Sequence, residues 1–253
     1  MSDLLYEVRD GAARLTLDRE AQRNAISLEM IDLFGEYLDR AEADDEVRAL
    51  VLTGAGDKAF CSGADLGQGA DGALSGARRY GQLLRRLRTY SKPLLARLNG
   101  HCLAGGMGLM LACDIVYARE GIKLGTPEAR VGLFPMIIAA LIQRNASRKK
   151  ALEMMLTAEP ITPQQAEGMG LITRTVPAAE LDATVERAVA AIRLNAPLAL
   201  RNGRRALAEI EGLGFDESIE LLCGRLDELL HTEDAVEGLT AFFQKRAPQW
   251  KGR

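Results

Sequence analysis

The sequence predicts a mixed α/β fold that ends in an all-helical region. Strands of buried type alternate with helical segments between residues 48 and 118, an order that favours parallel strand pairing and right-handed crossovers. From Ala179 onward the apolar residues recur only at helical spacing, which indicates a separate helical layer. We therefore predict a core over residues 1–195 and a helical region, with apolar faces suited to oligomerisation, over residues 196–253.

The composition is that of a globular protein and argues against several classes of partner. Hydrophobic residues make up 47% of the 253 residues, charged residues 26%, and the net charge is −3. Such a chain offers no basic surface for nucleic acid, and no apolar run reaches the length of a membrane span. The first residues lack the basic start and apolar core of a signal peptide, so we expect a cytoplasmic protein.

Cysteine and histidine spacing gives no sign of a metal site. The four cysteines form no Cys-x-x-Cys pair, and the two histidines, His101 and His231, lie in unrelated contexts. We expect free thiols and predict neither a metal nor a separate cofactor.

The N-terminal segment predicts a hairpin and then a capped helix. Residues 4–8 and 12–17 are extended runs on either side of Asp10-Gly11, a dipeptide favoured in tight hairpin turns. Ser27 is a predicted N-cap for the helix that follows.

A glycine-rich segment follows the predicted buried strand over residues 48–53. Gly54–Ala59 matches Gly-x-Gly-x-x-Ala, which is typical of dinucleotide sites only when a helix comes directly after it. A second loop over residues 60–66 follows instead, so a plain turn is the favoured interpretation. Residues 67–76 predict a flexible loop, and residues 78–90 predict an amphipathic helix with Tyr80 among its inward residues.

The stretch from Asn99 to Glu128 carries the strongest functional signal. Gly105 and Gly106 open a short run that is apolar on every side, which predicts a buried helix. Glycine is a poor helix former, so a pair at a helix start indicates close approach to the backbone. The free N–H groups there make a candidate oxyanion or phosphate site, and tight packing of helix on strand is an equally weighted alternative.

The segment after this helix combines a helix start with an apolar run. Residues 126–128 read Thr-Pro-Glu, the order of an N-cap, a first helical proline and an acid in the first turn. Residues 131–142 are strongly apolar and predict a pocket wall or a buried helix.

Three segments together resemble the crotonase family, the enoyl-CoA hydratase/isomerases. They are residues 60–66, residues 99–114 with the paired glycines, and Pro127-Glu128 followed by Gly132-Leu133. The resemblance runs nearly end to end and implies a spiral of ββα turns followed by a helical trimerisation region. It also implies a homotrimer or a hexamer built as a dimer of trimers.

The resemblance implies an acyl-CoA thioester as substrate, with coenzyme A as part of that substrate. The backbone N–H groups of Ala64 and Gly105 would hold the thioester oxygen as it becomes an enolate, and Glu128 would be the catalytic acid/base. The substrate-binding residues that it implies are Arg23, Ala25, Ala64, Leu66, Gly105, Gly106, Gly108, Met136 and Lys245.

One position departs from the pattern of the family's hydratases. These enzymes carry a second glutamate on the oxyanion helix, where this chain has Gly108. Two glutamates suit hydration, whereas a single glutamate suits a double-bond shift that removes a proton from C2 and returns it to C4. Hydration and isomerisation of an enoyl-CoA both stay open. The alternatives are a Δ3,Δ2-enoyl-CoA isomerase only and a non-catalytic acyl-CoA binding protein.

A hydrolase is a further hypothesis from a different class. Cys61 or Ser62 would pair with His101, because both loops are expected to converge. The chain has no Gly-x-Ser-x-Gly elbow and no evident orienting acid, and both absences count against this hypothesis.

Overall fold

A computed structural model of the protein describes residues 2–65 and 69–253, and only the backbone of residues 69–73. In these residues the strands form two separate sheets. The strands are β1 (Leu4–Arg9), β2 (Ala12–Leu17), β3 (Ala49–Gly54), β4 (Ala59–Cys61), β5 (Leu94–Leu98), β6 (His101–Leu103), β7 (Ile115–Arg119), β8 (Leu124–Gly125) and β9 (Arg174–Val176). The larger sheet has the order β1-β2-β3-β5-β7-β9, and the smaller has the order β4-β6-β8.

Helices connect the strands and form the C-terminal part of the chain. They are α1 (Leu28–Ala43), α2 (Gly69–Arg88), α3 (Gly105–Leu111), α4 (Met136–Asn145), α5 (Arg148–Thr157), α6 (Pro163–Met169), α7 (Leu181–Arg193), α8 (Pro197–Glu209), α9 (Phe215–Leu230) and α10 (Glu233–Gln244). Short 3-10 helices lie at Glu20–Gln22, Pro127–Val131 and Ala178–Glu180. Alternation of strands and helices followed by helices alone confirms the predicted fold class.

The N-terminal hairpin forms as the sequence predicts. β1 and β2 pair antiparallel with Leu4 opposite Leu17, and the described strand pairs beyond them are parallel. Asp10 and Gly11 have φ angles of 51° and 76°, the positive values that a tight hairpin turn requires. The predicted cap is also confirmed, because the Ser27 side chain accepts a hydrogen bond of 3.0 Å from the Met30 N–H.

The central strands of the larger sheet, β3 and β5, are buried on both faces. In β3, Leu50 and Leu52 face the main core with α1, α2 and α3, whereas Ala49 and Val51 face a second apolar cluster under α7. This alternation explains why the strand reads as a continuous apolar run. Helix α7 therefore packs on the sheet, and α8 begins beyond it at Pro197. The domain division at residue 196 stays a prediction.

Three local expectations are wrong. The sequence predicts a loop over residues 67–76, but α2 already begins at Gly69, and residues 67 and 68 lie outside the described residues. Residues 60–66 were expected to be a loop throughout, but β4 extends to Cys61. Residues 127–131 form a 3-10 helix without a side-chain cap, because the Thr126 hydroxyl is buried and lies 3.5 Å from the Met154 carbonyl oxygen instead.

The structure describes the state of the cysteines and the character of the helices. All four cysteines are free. Within residues 2–65 and 69–253, no helix has both the length and the apolar character needed to cross a membrane.

Candidate active site

The predicted catalytic groups follow the three strands of the small sheet. Ala64 comes after β4, Gly105 after β6 and Glu128 after β8. The three strands pair parallel, with Cys61 beside Cys102 and Leu103 beside Gly125. The carboxyl ends of parallel strands meet at one edge of a sheet, which is where open α/β proteins place their sites. The topology therefore places the two backbone N–H groups and the residue that carries the carboxylate at the same edge of the small sheet.

The turns after β4 and β6 are in direct contact. A Cβ atom added to Gly63 would lie 2.7 Å from the Ala104 Cβ and 3.2 Å from the Gly105 nitrogen. A Cβ added to Gly105 would lie 3.4 Å from the Ala64 nitrogen. Only glycine at position 63, which has φ of 108°, permits this approach. The N–H groups of Ala64 and Gly105 are consequently neighbours.

The backbone at Ala104 is strained. This residue has φ of 50° and ψ of −129°, a conformation that side chains rarely adopt. Its N–H donates a 2.9 Å hydrogen bond to the Gly125 carbonyl oxygen, which ties the strained turn to β8. Strain of this kind persists where the surrounding structure over-determines it, and it is common at functional sites.

Among the described residues, the two N–H groups have no backbone acceptor. Gly105 is the first residue of α3, so its N–H has no partner within the helix. The parallel bridge between Ile26 and Ala64 uses the Gly63 carbonyl at 2.8 Å and the Asp65 N–H at 3.0 Å. In the described ranges, neither the Ala64 N–H nor the Gly105 N–H donates to a carbonyl oxygen. Two adjacent donors with free hydrogens can bind a developing oxyanion.

Glu128 has the environment of an acid/base group. Its side chain is half-buried, and the buried Oε2 has no hydrogen-bond partner among the described residues. Burial raises the pKa of the carboxyl above its usual value, and a hydrogen bond from the residue's own backbone N–H opposes the shift. A carboxyl that is costly to ionise and has a free oxygen is suited to accept and return a proton.

The space beside Gly108 is filled by other side chains. A Cβ at this position would overlap the Tyr80 hydroxyl oxygen, and would lie 2.6 Å from Ile138 Cγ2 and 3.3 Å from Leu84 Cδ1. The Tyr80 hydroxyl donates a hydrogen bond to the Gly105 carbonyl oxygen. A tyrosine from α2 therefore contacts α3 where a larger residue would carry its side chain.

Comparison with known proteins assigns the family. Residues 7–253 match the family described as enoyl-CoA hydratase/isomerase. The 2,3-dehydroadipyl-CoA hydratase of Escherichia coli is 33% identical over 100% of both chains. The enoyl-CoA hydratase EchA19 of Mycobacterium tuberculosis is 34% identical over 99% of this chain and 97% of its own. A crystal structure of an enoyl-CoA hydratase from Bacillus anthracis superposes with a TM-score of 0.95 at 28% identity, covering 99% of this chain and 100% of that one.

The chain belongs to the enoyl-CoA hydratase/isomerase family. It is an enzyme of that family, and its fold is the crotonase fold that the resemblance implied.

Two of the predicted substrate contacts of this family member lie beside Ala64. The Ser62 N–H donates a 3.1 Å hydrogen bond to the Arg23 carbonyl oxygen, and the Ala25 carbonyl accepts one of 2.8 Å from Arg19. Arg19 also forms an ion pair of 3.0 Å with Asp65. The loop over residues 19–25 is therefore fixed against the turn that presents Ala64.

The remaining predicted substrate-binding residues lie in different environments. Gly106 is buried against Cys61, whose Cβ would lie 2.8 Å from a Cβ at Gly106. Met136 begins α4 with 74% of its surface exposed. Lys245 is exposed at the end of α10, where its N–H donates to the Phe242 carbonyl oxygen, and the described contacts do not connect it with the edge of the small sheet. Leu66 lies outside the described residues.

The hydrolase hypothesis receives no support from the local geometry. Burial raises the pKa of the Cys61 thiol to about 12, so the thiolate nucleophile is not accessible near neutral pH. The Nδ1 atom of His101 accepts a 2.9 Å hydrogen bond from the Lys123 N–H instead of pairing with the thiol.

Among the described residues, no cluster of three metal-ligating side chains is present.

Sequence reasoning missed two residues that shape the site. The sequence predicts Tyr80 only as an inward residue of a helix and assigns no role to Asn24. Asn24 is fully buried, and its side-chain amide donates to the carbonyl oxygens of Ala55 at 3.0 Å and Ala59 at 2.8 Å. Two signals could have identified these residues. The absent side chain at Gly108 leaves space that another side chain must occupy, and an asparagine in a loop can hold the backbone in place by hydrogen bonds.

Proposed function

We propose that this family member acts on an enoyl-CoA thioester through an enolate. The thioester oxygen would accept hydrogen bonds from the N–H groups of Ala64 and Gly105, and Glu128 would move the proton. The contact between the turns after β4 and β6 supports this proposal, because it leaves two free donors side by side. Removing one such donor typically costs about 10²–10³ in kcat.

The proposed chemistry follows from a single carboxylate. For a 3-enoyl-CoA, the Glu128 carboxylate removes a proton from C2, and the electron pair moves onto the thioester oxygen as a dienolate. The protonated Glu128 then returns the proton to C4, the double bond moves to C2–C3, and the carboxylate is restored. No co-reactant is consumed, and a half-buried carboxyl with a raised pKa suits both steps.

The filled space at Gly108 supports isomerisation over hydration. Hydration requires a positioned water in addition to a proton for C2, and a second carboxylate commonly holds that water. Tyr80, Leu84 and Ile138 fill the volume where a residue-108 side chain would lie. The names of the curated relatives as hydratases favour hydration as the second candidate activity.

The decisive experiment gives a 2-enoyl-CoA and a 3-enoyl-CoA to the wild-type protein and to Glu128→Gln. Isomerase activity appears as conversion of the 3-enoyl thioester, and hydratase activity as formation of the 3-hydroxyacyl thioester. We expect Glu128→Gln to lower kcat by about 10²–10⁴, the range of a general base. Glu120→Gln, an exposed glutamate at the end of β7, serves as the control and should keep the wild-type rate.

Full activity of Glu128→Gln on every converted substrate would refute the catalytic role. Binding of an acyl-CoA without conversion of either substrate would indicate the non-catalytic acyl-CoA protein instead.

We also propose that the chain assembles through its C-terminal helices. Phe215, Phe242 and Phe243 expose 79%, 77% and 79% of their surfaces, and exposed apolar patches are typical of interaction sites. A homotrimer, or a hexamer made of two trimers, would cover them and could bring Lys245 of one copy to another copy's substrate. Light scattering after size exclusion should give a mass of three or six chains, and a monomer would refute the assembly.

We also propose a cytoplasmic location for the protein.

A further inference from the structure

The Tyr80 hydroxyl contacts the backbone of α3. It donates a hydrogen bond to the Gly105 carbonyl oxygen. In an α-helix that carbonyl also accepts from the N–H four residues later, so the phenol is a second donor to the same carbonyl.

This arrangement depends on glycine at position 108. A single added carbon there would overlap the phenol oxygen and press on Ile138. Tyr80 and Gly108 are consequently a complementary pair, in which the ring from α2 fills what the residue on α3 leaves empty.

The buried phenol is positioned near the proposed reacting groups but is not free to react. Tyr80 exposes 8% of its surface, and burial raises its pKa well above the ordinary value, so it stays protonated. Its one proton is committed to the Gly105 carbonyl. Glu128 is close enough for its charge to raise the same pKa further. The hydroxyl can therefore hold the backbone, but it has no proton to give.

We propose that Tyr80 is a positioning and specificity-determining residue: its hydroxyl fixes the first turn of α3 through Gly105 and occupies the space of a second carboxylate. It would thereby aim the Gly105 N–H at the thioester oxygen and exclude a second acid and its water. This inference rests on the proposed function, because it concerns how the enolate is held and which of the two reactions follows.

The test compares Tyr80→Phe with Tyr90→Phe. Tyr90 is also buried, and its hydroxyl donates a 3.0 Å hydrogen bond to the Leu38 carbonyl oxygen, away from the small sheet. Both variants remove one buried phenol–carbonyl hydrogen bond, so a purely structural role predicts the same behaviour. We expect Tyr80→Phe to lower kcat for the 3-enoyl-CoA about tenfold, a loss comparable to one hydrogen bond in the transition state, with KM little changed. The ratio of hydration to isomerisation should rise, while Tyr90→Phe leaves kcat and that ratio unchanged.

A second pair of variants covers the case in which Tyr80→Phe fails to fold. Gly108→Ala keeps the phenol but displaces its oxygen, and should give the same loss of kcat. Gly203→Ala in α8 is its control, because a Cβ added to Gly203 meets no atom of the described residues within 4 Å.

The inference is overturned if Tyr80→Phe, or Gly108→Ala in its place, keeps the wild-type kcat and product ratio. It is also overturned if KM alone changes, or if both tyrosine variants lose kcat equally. Failure of the proposed function is distinguishable, because in that case Glu128→Gln retains full activity. A loss in Glu128→Gln with no effect at Tyr80 refutes only the role of Tyr80.

Discussion

Gly63 and Ala104 approach so closely that a methyl group on Gly63 would lie 2.7 Å from the Ala104 Cβ. Each residue belongs to a turn that presents one of the two free N–H groups. The contact thus sets the separation of the donors, and both partners have positive φ angles, 108° and 50°. Ala104 is strained in this conformation whereas Gly63 is not, which indicates that the surrounding structure holds the Ala104 turn in a geometry that the local sequence alone would not adopt.

Gly63→Ala should separate the two donors. The added methyl group meets the Ala104 Cβ and also forces a side chain into a left-handed conformation. We expect kcat/KM to fall by about 10²–10³, the loss of one oxyanion donor, and the free energy of unfolding to fall by about 1–3 kcal/mol. Steady-state kinetics and urea unfolding measure the two effects.

Gly121→Ala is the matched control for this substitution. Gly121 also has a positive φ, 78°, but an added Cβ there meets no atom of the described residues within 4 Å. The Gly121→Ala variant should be less stable than the wild type, because its backbone is strained, and should keep its activity. Equal activity losses in the two variants would show that the contact with Ala104 is unimportant.

Glu128→Gln should be more stable than the wild type at neutral pH. Burial raises the pKa of this carboxyl in the folded state, so the folded protein binds the proton more tightly than the unfolded chain. The stability contributed by the neutral carboxyl is complete below the unfolded pKa and is lost as the pH rises through the raised folded pKa. The glutamine variant cannot ionise and avoids that loss. Thermal unfolding from pH 4 to pH 8 should show a gap that opens with rising pH, and a gap that opens on acidification would contradict this prediction.

The pH dependence of the activity should report the same group. As a base, Glu128 must be ionised, so kcat/KM should decline as the pH falls through a value above that of an ordinary glutamate. A pH–rate profile of the wild type, recorded where the protein remains folded, measures this limb. An acid limb at the ordinary glutamate value would show that the carboxyl is solvated in the working enzyme.

Asn24→Ala should weaken the loop that carries Arg23 and Ala25. The buried amide donates to the Ala55 and Ala59 carbonyl oxygens and accepts a 3.0 Å hydrogen bond from the Arg19 N–H. Its removal leaves buried groups unpaired, so we expect a loss of about 3 kcal/mol in the free energy of unfolding, measured by urea denaturation. Asn145→Ala, at an exposed position, should change stability by less than about 0.5 kcal/mol. Similar losses in both variants would refute the anchoring role.

Thiol modification should separate one cysteine from the other three. Cys223 is exposed, whereas burial raises the pKa of the thiols of Cys61, Cys102 and Cys113. A chromogenic disulfide reagent at pH 8 should react rapidly with one thiol in the native protein and with four in denaturant. Cys223→Ser should abolish the rapid phase and keep the activity. Loss of activity through Cys61 would revive the hydrolase hypothesis.

The sequence predicts those features that depend on local patterns. The Asp10-Gly11 hairpin, the Ser27 cap and the glycine-started α3 each follow from residues that lie close together in the chain. The pairing of Tyr80 with Gly108 could not be predicted in this way. An inward tyrosine on an amphipathic helix looks the same whether its hydroxyl reaches water or a distant backbone carbonyl, and only the packing of α2 on α3 decides which.

The meeting of the three strand ends was predictable in outline but not in geometry. Parallel strands imply a common edge, and family resemblance named Ala64, Gly105 and Glu128. The closeness of the first two turns depends on the φ angles of Gly63 and Ala104, and the second of these is a conformation that alanine propensities disfavour.

The strand that leads to Glu128 has only two residues, Leu124 and Gly125. On its outer side Leu124 exchanges two backbone hydrogen bonds, of 3.0 and 2.8 Å, with Ile161, and a Cβ at Gly125 would lie 3.2 Å from the Pro160 Cα. The segment over residues 159–161 therefore supports the strand that leads to Glu128. Substitutions there would shift the base by fractions of an ångström while every substrate-facing residue stays the same. Reaction rates could therefore change during evolution without any change in the active-site sequence.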